Sequence, residues 1–100
     1  SKGIVSVLLM RRDYTESELR ALILDWLERH GRWGAHYFPL DTLVNKLSHV
    51  VKNDGKRIRR TVKELLEEGY LLAHKGGETT SLNPTRSREI SEYIRKVMKI

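Results

Sequence analysis

Apolar residues recur at helical spacing in several stretches and at strand-like density in others, and the alternation lays out an order of elements. Leu19, Leu22, Ile23, Trp26 and Leu27 occupy i, i+3, i+4, i+7 and i+8, the positions of one helical face. Thr15-Glu16-Ser17-Glu18 precedes them in the form of a capping box, and Gly31 supplies a stop. This predicts a helix over 16 to 30. Arg32 to Phe38 breaks the period, sets Trp33, Tyr37 and Phe38 around Gly34, and runs into Pro39. It reads as a loop with a short edge strand, since proline cannot donate to a ladder. From Leu40, the spacing of Leu43, Val44 and Leu47 predicts a second helix of about ten residues. Lys52-Asn53-Asp54-Gly55 is turn chemistry, in which Asn53 or Asp54 can cap the next helix. This third helix carries Ile58, Val62, Leu65 and Leu66 on one side and stops at Gly69.

Two strand-like runs, Tyr70 to Lys75 and Glu78 to Leu82, then flank Gly76-Gly77, a two-residue hairpin signal. Asn83-Pro84 has the form of an N-cap followed by proline at the first helical position. Ile90, Tyr93, Ile94, Val97 and Met98 form the apolar stripe of a last helix, placed over 84 to 100. The first residues stay open between two readings: Ile4, Val5 and Val7 favour a strand, while Ile4, Val7, Leu8 and Arg11 fit a helix. The expected fold class is α+β. The chain reads as one domain over 1 to 100, with an N-terminal arm (1–14), a core and hairpin (16–83) and a C-terminal helix (84–100), with no repeat or linker to divide it.

Composition narrows the function classes. The chain is 39% hydrophobic and 32% charged, which suits a globular domain. Its longest apolar run, Ile4 to Met10, falls well short of the roughly 20 residues that span a bilayer. That run also lacks a signal-peptide cleavage site, so the expected location is cytoplasmic, with no membrane partner. Cysteine is absent, which removes disulfides, thiolate metal sites and cysteine nucleophiles. Glutamine is absent as well, a lean towards the composition of heat-adapted proteins.

Charge changes the picture most. The net charge is +6, with a pI near 9.8. Between Lys46 and Lys63 stand Lys46, Lys52, Lys56, Arg57, Arg59, Arg60 and Lys63 against Asp54 alone, so these 18 residues hold the whole +6. Such clustering points to a polyanion, either nucleic acid or an acidic membrane surface, although a solvated charged face is the plainer reading of any basic run.

The order helix, short edge strand, helix, helix, hairpin, helix resembles a winged helix-turn-helix domain: a three-helix core with a two-stranded wing and a C-terminal helix. Ile58, Val62, Leu65 and Gly69-Tyr70-Leu71 look like the recognition helix and its exit in that superfamily. Leu82-Asn83-Pro84 resembles the end of the wing in multiple-antibiotic-resistance-type and related prokaryotic and archaeal regulators. The likeness covers roughly residues 16 to 98. One departure is visible: the spacing from Leu47 to Gly69 is about four residues longer than usual for such domains. The excess falls in Ser48 to Asn53, so either the second helix is extended or the turn is enlarged.

The resemblance implies duplex-DNA binding, a regulatory role in transcription and a homodimer, because paired recognition helices address half-sites about one helical turn apart. Advancing about 100° per residue from Ile58 puts the apolar side near Val62 and sets Asn53, Lys56, Arg60 and Lys63 opposite, with Arg57 and Arg59 on the shoulders. A helix with an apolar back and a basic front suits a major groove. Arg57 and Arg60 are suited either to guanine edges or to phosphates. Lys75, at the hairpin tip, and Lys46, Ser48 and Lys52 are further candidates for backbone contacts. The third helix also carries its cations in the first turns and Glu64, Glu67 and Glu68 in the last, against the helix macrodipole, which points to an anionic partner that offsets the cost.

Other chemistry finds little to stand on. His30, His36, His49 and His74 show no HExxH pattern or i, i+4 pairing, so neither a metal nor another cofactor is expected. Gly76-Gly77-Glu78-Thr79 lacks the lysine and spacing of a P-loop. No nucleophile pattern supports an enzyme. Trp26, Trp33, Tyr37 and Phe38 read as packing rather than a base-stacking platform. The competing reading is a protein-interaction module in a transcription, replication or modification complex. RNA is disfavoured, since its narrow major groove excludes a helix. Ile4 to Met10 and the last helix, with Ile94, Val97, Met98 and Ile100, are the nominated pairing surfaces. No pocket for a small-molecule effector can be read from the chain.

Overall fold

The computed structural model describes residues 13–51 and 54–99. These residues form a compact α+β fold of four helices and a three-stranded antiparallel sheet, about 38 × 27 × 20 Å. The expected arm over 1–14 lies outside the described residues except for Asp13 and Tyr14, as do Lys52, Asn53 and Ile100.

Helix α1 spans Glu16–Arg29. The capping box is complete: the Thr15 hydroxyl accepts from the Glu18 amide at 3.1 Å, and the Glu18 carboxylate accepts from the Thr15 amide at 2.9 Å. At the other end Gly31 takes φ +65, the Gly31 amide donates to the Glu28 carbonyl and the Arg32 amide donates to that of Leu27. These two bonds are a Schellman termination, which needs a left-handed residue and so favours glycine.

The chain then enters the sheet. Strand β1, Phe38–Pro39, lies on one edge, paired through Phe38↔Thr80 and Pro39↔Thr79. As expected, the proline sits where its missing N–H costs no ladder bond. Helix α2, Leu40–Leu47, has eight residues rather than about ten. It stops because the Leu47 carbonyl turns to accept from both Val50 and Val51, which drives Val51 into the core. Residues 48–51 therefore do not extend the helix but turn away from it.

Helix α3, Asp54–Glu67, begins at the earlier of the two starts that the capping alternatives allow. Gly55 belongs to its first turn, and a Cβ there would stand 2.6 Å from Val44 Cγ1. The glycine is needed for the close crossing of α2 and α3 and not for a loop conformation. At the far end Gly69, φ +84, repeats the Schellman termination, with its amide on Leu66 and that of Tyr70 on Leu65.

Strands β2 (Leu71–His74) and β3 (Thr79–Leu82) form the hairpin, with β3 central in the order β1-β3-β2. The last ladder pair is His74↔Thr79, so the loop comprises four residues, Lys75 to Glu78, instead of Gly76-Gly77 alone. Glu78 leaves the ladder because its carbonyl accepts from the Leu40 amide at 2.9 Å, which fastens the hairpin to the start of α2. Lys75, Gly76 and Gly77 close the turn with φ of 54, 67 and 94.

Asn83 caps a single 3-10 turn, Pro84–Arg86, and helix α4 proper begins three residues later than expected, at Ser87–Met98. The delay has a cause: the Asn83 amide group donates to Gly69 O at 2.8 Å, while its backbone N–H donates to Tyr70 O. The residue is thus anchored to the exit of α3, and the chain must turn before it can lie along α1. The core joins Leu19, Ile23 and Leu27 of α1 to Leu43, Ile58, Leu65, Leu82, Ile90 and Ile94, all fully or almost fully buried. Among the described residues, no helix is long and apolar enough to cross a membrane.

Candidate nucleic-acid interface

Helix α3 organises the basic surface because one side of it is committed to the core. Ile58, Val62 and Leu65 are buried, and so is Thr61, whose hydroxyl donates back to the Arg57 carbonyl at 3.0 Å. With the apolar side fixed, Lys56, Arg60 and Lys63 are held exposed. Arg60 and Lys63 form no ion pair among the described residues.

The two shoulders behave differently from the front. Arg57 points to the start of α1, where its guanidinium lies 3.2 Å from an Asp13 oxygen and 3.6 Å from one of Glu16, and its side chain is only 17% exposed. It is a strut between α3 and α1, so the structure places it outside the exposed basic row. Arg59, on the other shoulder, reaches Asp41 in the first turn of α2 at 2.6 Å. None of the three acids is near in sequence, which is why composition alone groups both arginines with Lys56, Arg60 and Lys63.

Beside Arg59 opens a cleft of about 580 Å³. Its walls are Pro39 to Asp41 on one side and the hairpin loop, Lys75 to Thr79, on the other. Lys75 is exposed there and keeps its left-handed backbone. The cleft thus sets two cations, Arg59 and Lys75, against two acids, Asp41 and Glu78. Asp41, Glu78 and the cleft itself escape a sequence reading. An acid in a helix's first turn is the ordinary macrodipole preference, and nothing in the pattern brings it next to the hairpin.

The remaining candidates are scattered. Lys46 is exposed on the last turn of α2, whereas the half-buried Ser48 donates its hydroxyl to the Asn45 carbonyl at 2.9 Å. Lys52 and Asn53 lie outside the described residues. The acids at the C-terminal end of α3 have a partner within the chain: Arg20 of α1 is bonded to Glu68 and stands 4.0 Å from Glu64. The hydrogen bond to Glu68 holds the Arg20 guanidinium above its already high pKa. The reversed charge pattern of α3 is therefore answered partly inside the protein. Arg20 offsets Glu64 and Glu68, and Asp13, Glu16 and Asp41 offset two of the cations. Arg60 and Lys63 carry what is left of the case for an external anion.

The aromatic and histidine residues pack against one another. Trp26 stacks on His30 at 3.7 Å and lies 4.8 Å from Phe38, and Tyr37 stacks on His74 at 4.5 Å. The His30 ring also hydrogen-bonds the Trp26 carbonyl at 2.7 Å. Among the described residues, no group of three or more His, Asp or Glu side chains could hold a metal ion. Of the nominated pairing residues, Ile94 is buried in the chain's own core, Val97 and Met98 are half-buried, and the others lie outside the described residues. No family model matches this chain, and neither the curated proteins nor the solved structures contain a match to it.

Proposed function

We propose that the chain is a winged helix-turn-helix domain that binds duplex DNA, with α3 as the helix addressed to the major groove and the β2–β3 hairpin as the wing. One observation carries the reading: Lys56, Arg60 and Lys63 stand exposed on α3 opposite a side fully committed to the core. A helix of that kind fits between two phosphate rails, and its cations replace condensed counterions there. Lys75 on the hairpin tip and Lys46 on α2 extend the basic surface. On this reading the protein is a cytoplasmic transcriptional regulator rather than an enzyme, and acts as a homodimer with two such helices.

The test is titration of fluorescent duplex DNA of mixed sequence over a salt series, with the wild type and a Lys56→Ala/Arg60→Ala/Lys63→Ala variant whose fold is checked by circular dichroism. The affinity is expected to fall with salt, and the variant to flatten the log–log slope by up to roughly 2.7, about 0.9 for each phosphate no longer neutralised. Failure of the wild type to bind duplex DNA at low salt overturns the proposal and favours a protein-interaction module.

A further inference from the structure

We propose that Asp41 is an internal substitute for a DNA phosphate: it holds Arg59 in the cleft between α2 and the hairpin and thereby lowers the chain's affinity for duplex DNA. The inference rests on the DNA-binding reading. A strand of duplex that passes from the groove occupied by α3 to one beneath the hairpin must run along this cleft, which is open and has room for a phosphodiester. Arg59 and Lys75 both line it, so both are placed to meet that strand.

The geometry sets Asp41 against such a contact. Its carboxylate meets the Arg59 guanidinium at 2.6 Å, and planar guanidinium recognises carboxylate and phosphate oxygens through the same N–H groups. One anion therefore excludes the other. The pair is also exposed, with Arg59 at 49% and Asp41 at 84%, so water competes with it and its net contribution to folding is small. Such a contact opens readily when a denser anion arrives, yet it must be opened every time. Asp41 and Glu78 further make the cleft neutral overall beside the exposed cations of α3. The result is a basic surface one of whose arginines is withheld until docking displaces its acid.

The test is a double-mutant cycle on the full chain: wild type, Asp41→Asn, Arg59→Ala and the double variant, each titrated against duplex DNA across a salt series. Asp41→Asn keeps the side-chain shape and touches no core residue. It is expected to tighten binding by about 3- to 10-fold near 0.1 M salt, the cost of opening an exposed ion pair, and to leave the salt slope unaltered, because Arg59 meets the same phosphate in both complexes. Arg59→Ala is expected to cost at least about 5-fold more in the Asp41→Asn background than in the wild type, a non-additivity that requires direct coupling. Glu78→Gln removes an acid from the same cleft and controls for charge alone; its effect is expected to be the same with or without Arg59. Equal penalties for Arg59→Ala in both backgrounds, or no gain from Asp41→Asn, would overturn the proposal while leaving DNA binding intact. If none of the four proteins binds duplex DNA at low salt, the functional reading itself fails and takes this inference with it.

Discussion

Replacement of Gly55 by alanine sets two known effects against each other. In a helix, Gly→Ala ordinarily stabilises by about 0.5–1 kcal/mol, because alanine loses less backbone entropy. Here the new methyl carbon would lie 2.6 Å from Val44 Cγ1, well inside the usual carbon–carbon contact of about 3.5–4.0 Å. Val44 cannot swing aside: it is buried at 5% exposure, and β-branched side chains hold essentially one χ1 rotamer in a helix. The two helices must therefore separate, an overpacking cost of typically about 1–3 kcal/mol. The clash wins, with an expected net loss of about 1–2 kcal/mol, or roughly 4–15 °C in Tm for a domain of this size. The assay is thermal and urea denaturation of Gly55→Ala, Val44→Ala and the double variant. Because Val44→Ala removes the clashing methyl, the double variant is expected to be at least about 1 kcal/mol more stable than the sum of the single losses. A Tm for Gly55→Ala equal to or above the wild type would refute the reasoning, since it would mean that the crossing relaxes at no cost.

Three further outcomes rest on single interactions. Arg57→Ala removes the strut to Asp13 and Glu16 and is expected to lower stability by about 0.5–1.5 kcal/mol in urea, discounted because both acids are exposed, while leaving the salt slope of DNA binding unaltered. Lys75→Gly relieves a non-glycine residue at φ +54 and is expected to hold or raise stability by up to about 1 kcal/mol; Lys75→Ala brings no such relief, and both should weaken duplex binding equally. Asn83→Ala breaks the bonds to the Gly69 carbonyl and the Thr85 amide and is expected to cost about 1–2 kcal/mol by thermal melting, with Asn83→Asp recovering only the cap to Thr85.

Local chemistry was legible along the chain wherever one short segment decides the outcome. The Thr15–Glu18 box, the stops at Gly31 and Gly69, the edge position of Pro39 and the apolar side of α3 all depend on neighbours within about one or two helical turns. Misreadings arose where a distant segment competes. Gly55 looks like turn chemistry because Val44 is not visible from its neighbours. The hairpin looks like a two-residue loop because the bond from Leu40 to Glu78 joins residues 38 apart. The same division holds for the candidate site. The exposure of Lys56, Arg60 and Lys63 follows from the helical period, whereas the pairing of Arg57 with Asp13 and of Arg59 with Asp41 depends on how three helices cross.

The two glycine-terminated helices also meet at a single residue. The segment leaving α1 grips Leu82 twice, with the Leu82 amide on the Arg32 carbonyl at 2.7 Å and its carbonyl on the Gly34 amide at 2.9 Å. The segment leaving α3 meets it from the other side through Leu71↔Leu82. The two backbone bonds of Leu82 both face the α1 exit, while its buried side chain stays packed in the core on the side of Leu71. Its amide proton is held by the Arg32 carbonyl alone, so its exchange should report how often the segment leaving α1 lifts off β3, while the amides of Gly76 and Gly77 exchange freely at the hairpin tip. During folding, both helices must terminate before β3 can dock between their exits, and closure of the chain from Arg32 to Leu82 becomes a late, all-or-none step.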